Sequence, residues 1–394
     1  VAGFSSDEIA EVSMENAVMK KTRVGTHWFV AAIVLFCCAH SGHAVPPDEA
    51  AIERLLQERV QSGASVGIAV GLLDETGPRV FCAGKLSHDK EKAVDANTLF
   101  NIGSVTKLFT ATLLSQMVLQ GDVELDDPVV RFLPDGVVIP AQNQRQITLL
   151  DLATHTSGLP RNHVEPLRVE REFSPHQMYQ LLGQTNLTTP IGRSYRYSNL
   201  GYALLGHALT LHSGQPYETM VIERICRPLN MTNTRIKLSE AQKSRLATGY
   251  NRMGKPVAPL NFTQTMEATG GLRSNLNDML QWLAANTALI QNDLVMPILE
   301  THKPRRRINR SGDFIGLAWR SRVLHDRTIL EHGGGIRGFR SYIGFDKATG
   351  QGVVVLSNTD HDVYNVGHHL LDKRVPLRLQ TEENTEDDAV RDRQ

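Results

Sequence analysis

Residues 104–120 carry apolar side chains around most of a helix's circumference, with Leu108, Phe109, Leu113, Leu114, Met117 and Val118, and the run stops at Gly121. Glycine just past an apolar run is a helix C-terminus signal. A helix with almost no polar face must be wrapped by the rest of the chain, so the fold is built around a buried central helix. Its first turn reads Ser104-Val105-Thr106-Lys107. Residues three apart share a helix face, which brings the Ser104 hydroxyl within reach of the Lys107 amine. A serine hydroxyl needs a base to act as a nucleophile, and lysine becomes one when burial or a neighbouring cation lowers its pKa. The helix start also offers backbone N–H groups and a positive dipole end to developing negative charge.

Before this helix, residues 48–61 read as an amphipathic helix, followed by strands at 66–73 and 79–83 around the turn Asp74-Glu75-Thr76-Gly77-Pro78. After it comes a long helix-rich stretch broken by prolines, and strands return near 316–320, 328–331, 339–345 and 352–357. The sheet is thus assembled from both ends of the chain. Hairpin connections make it antiparallel, giving an α+β fold in which helices flank the sheet and an all-helical lobe is inserted. The expected boundaries are an α/β lobe of residues 45–120 and 300–378, a mainly helical lobe of 121–299, and a disordered acidic tail at 379–394.

Two further segments have chemistry to add to Ser104 and Lys107. Tyr197-Ser198-Asn199 stands between the loop at 189–192 and an apolar helix from 200 to 211. A tyrosine at such a corner can project its phenol into a cleft, and the Asn199 amide suits a helix cap or a donor to a substrate carbonyl. His332-Gly333-Gly334-Gly335 follows a strand-like run, and glycines there allow close approach of a ligand and expose N–H groups fit for an oxyanion.

In this order, Ser104-x-x-Lys107, Tyr197-Ser198-Asn199 and His332-Gly333-Gly334 resemble the three motifs of the serine β-lactamase and penicillin-binding protein superfamily. The similar branch is that of class C β-lactamases, D-alanyl-D-alanine carboxypeptidases, D-aminopeptidases and β-lactamase-like esterases. Residues 149–160 (LLDLATHTSGLP), 197–206 (YSNLGYALLG) and 270–282 (GGLRSNLNDMLQW) also look like that branch, so the likeness spans roughly residues 50–375. The resemblance implies a serine hydrolase that forms an acyl-enzyme on Ser104 and hydrolyses β-lactam or D-alanyl peptide amide bonds. It implies catalytic roles for Ser104, Lys107, Tyr197 and His332, and substrate contacts from Asn199, Gly333, Gly334 and Gly335. The Ser104 and Gly335 amides would form the oxyanion hole. No cofactor or metal is implied.

The third motif departs from the Lys-Thr-Gly of most members. Histidine at 332 can donate a hydrogen bond or a titrating charge to the tyrosine and serine hydroxyls. Glycine at 333 removes the hydroxyl that helps hold a substrate carboxylate, a loss of ~1.5–3 kcal/mol unless Arg337 or Arg340 replaces it. The His-Gly pair therefore favours an esterase or D-aminopeptidase, whereas Tyr197-Ser198-Asn199 favours a β-lactamase or carboxypeptidase. A non-catalytic penicillin-binding sensor would not need Lys107 and Tyr197 beside Ser104.

The remaining residues bound the setting. Met19-Lys20-Lys21-Thr22-Arg23, an apolar run at 28–39 and Gly42-His43-Ala44 read as an export signal, so residues 1–44 form an upstream extension plus signal and the address is periplasmic or secreted. The apolar run is too short for a membrane span, and Leu35-Phe36 before Cys37-Cys38 does not suit lipid attachment. About 350 residues follow, suited to one two-lobed unit. Cys82 and Cys226 sit in apolar contexts that suit free thiols better than a disulfide. Net formal charge is zero, which gives no electrostatic case for a nucleic-acid partner. The expected partner is a small-molecule or peptide substrate: a β-lactam, a D-amino-acid peptide or an ester. The basic run from His302 to Arg307 reads as a solvated loop. His155 reads as a structural hydrogen-bonding residue, and the spacing of His361, His368 and His369 fits no catalytic metal motif.

Overall fold

The computed structural model describes residues 48–162, 173–187 and 189–377. The expected export signal, Cys37 and Cys38, and the acidic tail lie outside the described residues. Helix α1 (Glu49–Gln61), capped by the Asp48 carboxylate, leads into strands β1 (Gly67–Asp74), β2 (Gly77–Ser87) and β3 (Lys90–Ala93). The short strand β4 (Phe100–Asn101) and a 3₁₀ turn at Gly103–Val105 precede α2 (Thr106–Gln120). Helices α3 (Leu149–Ala153), α4 (Pro175–Gln184), α5 (Asn199–Ser213), α6 (Tyr217–Val221), α7 (Glu240–Lys243) and α8 (Glu267–Gly270) follow. Strand β5 (Arg273–Ser274) then pairs with β4, ahead of α9 (Leu276–Asn286) and α10 (Val295–Thr301). The chain returns to the sheet through β6 (Arg306–Arg307), β7 (Phe314–Ile315), β8 (Arg320–Leu324), β9 (Arg327–Ile336), β10 (Phe339–Asp346) and β11 (Gly352–Ser357). Helix α11 (Tyr364–Leu371) comes last.

The large sheet has nine strands in the order β3-β2-β1-β11-β10-β9-β8-β7-β6, antiparallel throughout. The N-terminal strand β1 therefore joins the C-terminal strand β11, in register from Ile68 opposite Ser357 to Leu73 opposite Gly352. This is an α+β architecture, and the described residues fall in one structural unit. Strand residues alternate between two faces. Ile68, Val70, Val353 and Val355 pack under α1 and α11, whereas Ala69, Val354 and Leu356 belong to the larger core around α2, α5 and α9.

Helix α2 is the axis of that larger core. Thr106 through Ser115 are all buried, and Phe109 stacks on Trp282 at 4.4 Å between ring centroids. Each apolar side chain buried this way contributes ~1.5–3 kcal/mol. The helix ends at Gly121, whose φ of 77° places it in the left-handed region expected of a glycine cap.

Several local expectations are corrected. Ser104 lies in the 3₁₀ turn ahead of α2 rather than in its first α turn. The cap of α5 is Ser198, whose hydroxyl accepts the Gly201 N–H at 2.9 Å, so Asn199 is not the cap and is left for other contacts. Residues 316–319 form no strand, because Ala318 adopts φ 65° and the Gly316 N–H turns back to the Trp319 carbonyl at 2.8 Å. The basic run is not simply a solvated loop. His302 is buried, bonded to Asn286 at 2.9 Å and edge-on to Trp319, and Arg306–Arg307 pairs with β7. Cys82 is half-buried, Cys226 is buried, and both are free thiols.

Candidate active site

Three segments far apart in the chain meet at the start of α2. The 3₁₀ turn reaches β9 because residue 103 is glycine. Its φ is 50°, and a Cβ there would stand 3.1 Å from the Gly335 backbone nitrogen. The same approach is held by the Ser341 hydroxyl, which donates to the Ile102 carbonyl at 2.8 Å. Strand β8 pairs with β9 only as far as Glu331, so residues 332–336 have β10 as their ladder partner and, among the described residues, no strand on the other side.

Lys107 is fully buried, and its amine faces three oxygens. Nζ lies 2.8 Å from Asn199 Oδ1, 2.6 Å from the Thr269 carbonyl and 3.2 Å from Ser104 Oγ. The first two can only accept. A neutral amine has two N–H bonds and one lone pair, so committing both hydrogens to Asn199 and Thr269 aims the lone pair at the Ser104 hydroxyl. Burial, and then the charge of Arg161, push the Lys107 pKa well below the ordinary lysine value, which favours that neutral form.

Tyr197 is placed by the corner before α5. The Ser198 N–H donates to His155 Nδ1 at 3.1 Å, the Ser198 hydroxyl donates to the Pro160 carbonyl at 2.6 Å, and the Asn199 N–H donates to the Arg161 carbonyl at 2.7 Å. His155, itself at φ 57°, stacks on the Tyr197 ring at 4.3 Å. The Lys107 amine sits 4.9 Å from that ring's centroid. Burial raises the Tyr197 pKa, while a hydrogen bond with Ser104 and the charge of Arg161 work against the rise. Lys107 and Tyr197 thus converge on Ser104, the amine with its affinity for a proton lowered and the phenol with its affinity raised.

His332 lies on β9 with its side chain buried. Its Nδ1–H donates to the Gly333 carbonyl at 2.8 Å, which leaves Nε2 as an acceptor. Burial, then the Lys107 charge, lower its pKa to about 4, so the ring is neutral at neutral pH. The expectation of a titrating charge directed at the serine and tyrosine is corrected accordingly.

Each glycine of the motif meets something different. Gly333 faces the Tyr364 phenol, which fills the space a side chain at 333 would need. Gly334 lies against the Ile102 carbonyl and Gly335 against the Arg340 guanidinium. Arg340 is paired with Asp360 at 2.8 Å.

Sequence reasoning missed Arg161, Asn162, Thr269 and Tyr364. The guanidinium carbon of Arg161 is 5.2 Å from the Tyr197 ring centroid, and Asn162 Oδ1 accepts from Asn199 Nδ2 at 2.8 Å. Both follow directly on LLDLATHTSGLP, and Thr269 directly precedes GGLRSNLNDMLQW, so adjacency to those stretches was the available signal. Among the described residues, no group of three or more His, Cys, Asp and Glu side chains could hold a metal ion, and no helix is long and apolar enough to cross a membrane.

A serine, a buried lysine and a tyrosine brought together beside a nine-stranded antiparallel sheet flanked by helices point to the β-lactamase class of fold. The model of the beta-lactamase family matches residues 52–374, and the chain belongs to that family. It is 31% identical over 236 residues to the D-alanyl-D-alanine-carboxypeptidase/endopeptidase AmpH of Escherichia coli (strain K12), covering 59% of this chain. The chain spans 60% of the length of that relative. A beta-lactamase of Pseudomonas fluorescens is 26% identical over 347 residues, 79% of this chain and 93% of that one. A class C beta-lactamase from Rhodobacter sphaeroides shares the fold at a TM-score of 0.71 and 23% identity, over 82% of this chain and 97% of that one.

Proposed function

We propose that the protein is an exported serine hydrolase that forms an acyl-enzyme on Ser104 and hydrolyses β-lactam or D-alanyl peptide amide bonds. The observation that carries this is the Lys107 amine, buried, held by Asn199 Oδ1 and the Thr269 carbonyl and 3.2 Å from Ser104 Oγ. In the first step Ser104 Oγ attacks the acyl carbon and its proton passes to Lys107 Nζ. The oxyanion is stabilised by the Ser104 and Gly335 amides, and Tyr197 donates its proton to the leaving nitrogen, regaining one from Lys107. In the second step water, relieved of a proton by the same pair, attacks the ester and releases Ser104. Asn199 acts first on Lys107, since Lys107 and Asn162 occupy its amide. The site would lie in the cleft between an α/β lobe of residues 45–120 and 300–378 and a helical lobe of 121–299. The family of the relatives supports a periplasmic or secreted setting.

A second reading has its own observation. Tyr364 stands where a hydroxyl side chain at 333 would be, and Arg340, one of the two arginines foreseen for a substrate carboxylate, is tied to Asp360. This favours an ester or a D-aminoacyl amide without that carboxylate. The two readings share their chemistry and differ in substrate. Residues 45–394 and the Ser104→Ala variant are to be compared on a chromogenic cephalosporin, a short-chain nitrophenyl ester and a D-alanine anilide, with intact mass recorded at each addition. The expected result is an adduct that requires Ser104. No adduct with any of the three removes the proposal, and turnover of only the ester or the anilide selects the second reading.

A further inference from the structure

Residues 160–162 form a strap across the tyrosine corner. Pro160 accepts from the Ser198 hydroxyl at 2.6 Å, Arg161 accepts from the Asn199 N–H at 2.7 Å, and Asn162 accepts from the Asn199 amide at 2.8 Å. Three consecutive residues are therefore pinned to the two that follow Tyr197. The strap fixes where the Arg161 side chain can go. Its guanidinium carbon is 5.2 Å from the centroid of the same ring from which Lys107 Nζ is 4.9 Å away. Two basic groups are thus held within about 10 Å of each other around one phenol. Guanidinium remains charged at any working pH, whereas a buried amine can lose its proton.

We propose that Arg161 is a positioning residue acting through charge: held against Tyr197 by the strap, it is a fixed cation that adds to burial in favouring a Lys107 amine available to Ser104. The catalytic consequence rests on the acyl-transfer reading above, but the protonation of Lys107 is a property of the resting protein. The other groups around the amine do not substitute for this charge. The corner and α5 present Tyr197, Asn199 and Tyr202, the last with its ring centroid 5.5 Å from Nζ. Strand β9 presents His332, which is neutral, and the segment after α3 presents His155, whose pKa is also pushed well down, by burial first. From α8 comes the Thr269 carbonyl. The carboxylates on elements packed against α2 are engaged elsewhere: Glu267 and Glu218 lie toward Tyr217 and Lys237, Glu223 pairs with Arg227, and Glu300 pairs with Lys303 and Arg305. Arg161 acts in the same sense on Lys107 and Tyr197, lowering the affinity of each for its proton. At this separation, in a partly screened interior, one fixed charge is worth roughly one pKa unit.

The test is to follow the ¹³Cε resonance of Lys107 against pH in selectively labelled full chain, assigned by Lys107→Arg. The variants are Arg161→Gln, Arg161→Met and Arg161→Lys. The expected midpoint rises by roughly one unit in both neutral variants and stays near wild type in Arg161→Lys. The acid limb of kcat/KM should move by the same amount. A midpoint unmoved in both neutral variants overturns the proposal, as does an equal rise in Arg161→Lys, which would mark loss of packing rather than of charge. If Ser104 forms no adduct yet the midpoint moves, the acyl-transfer reading falls and the charge role stands.

Discussion

Replacing Gly334 with alanine tests whether the contact between the 3₁₀ turn and β9 sets the geometry of the nucleophile. An added Cβ would overlap the Ile102 carbonyl oxygen and the Ser341 hydroxyl, and would stand 3.0 Å from the Ile102 carbonyl carbon. The obstacle at Ile102 is backbone, so no rotamer change relieves it, and the turn must retreat from the strand by roughly 1 Å to restore van der Waals contact. That retreat breaks the Ser341–Ile102 hydrogen bond of 2.8 Å. Overpacking of this kind costs ~1–3 kcal/mol and the lost bond ~1 kcal/mol more, giving a destabilisation of about 2–4 kcal/mol. The same shift separates Ser104 from the Gly335 amide, and misplacement on this scale slows acyl transfer by roughly 10²-fold. Single-turnover acylation followed by intact mass, alongside a thermal scan, measures both. Gly183→Ala is the control, because a Cβ there meets nothing closer than 3.9 Å and the position lies in α4. A Gly334→Ala protein with unchanged acylation rate and melting temperature would refute the reasoning.

Two further outcomes follow from buried charge. The His332 imidazole has a folded-state pKa of about 4 against an ordinary 6.5, so between those values the unfolded chain binds the proton more readily. Stability is then complete above pH 6.5 and is lost as pH falls toward 4, by about 3 kcal/mol from this group; urea midpoints across that range should show the fall, and His332→Asn should flatten it. Glu331 is fully buried and accepts from Arg322 Nε at 2.7 Å, from His368 Nε2 at 2.5 Å and from the Tyr342 hydroxyl at 2.9 Å. Glu331→Gln should cost ~2–4 kcal/mol by leaving Arg322 without its counter-charge in a mostly buried place, read as a lower urea midpoint with an unchanged slope.

The sequence made the local parts of this site legible and left the convergent parts obscure. Ser104 and Lys107 are three residues apart, so helical geometry alone puts them together, and the glycine after α2 and the limits of β10 and β11 follow from local patterns. The acceptors that settle the state of Lys107 are another matter. Asn199 is 92 positions away and Thr269 is 162, and one of them acts through a backbone carbonyl that carries no residue signature. Arg161 sits in a loop with no periodicity to mark it, though its neighbours form part of a legible stretch. The strand placed at 316–320 failed because Ala318 takes a left-handed conformation that its side chain does not advertise. The charge expected of His332 failed because burial and its own Nδ1 bond to Gly333 depend on packing rather than on residue type.

The pairing of β1 with β11 has a consequence for when the protein becomes active. The Val66 N–H donates to the Thr359 hydroxyl across 293 positions, and Gly67 to Asn358 across 291. Closing so long a loop is a slow, late event in folding, because its entropy is lost before any contact compensates. A ribosome-bound chain that has emerged only through α2 holds Ser104 and Lys107 but neither the strand that offers Gly335 nor the partner that seals the sheet. Under the proposed acyl transfer, the Ser104–Lys107 pair is thus made early and armed late, which would keep the chain chemically silent while it is being synthesised.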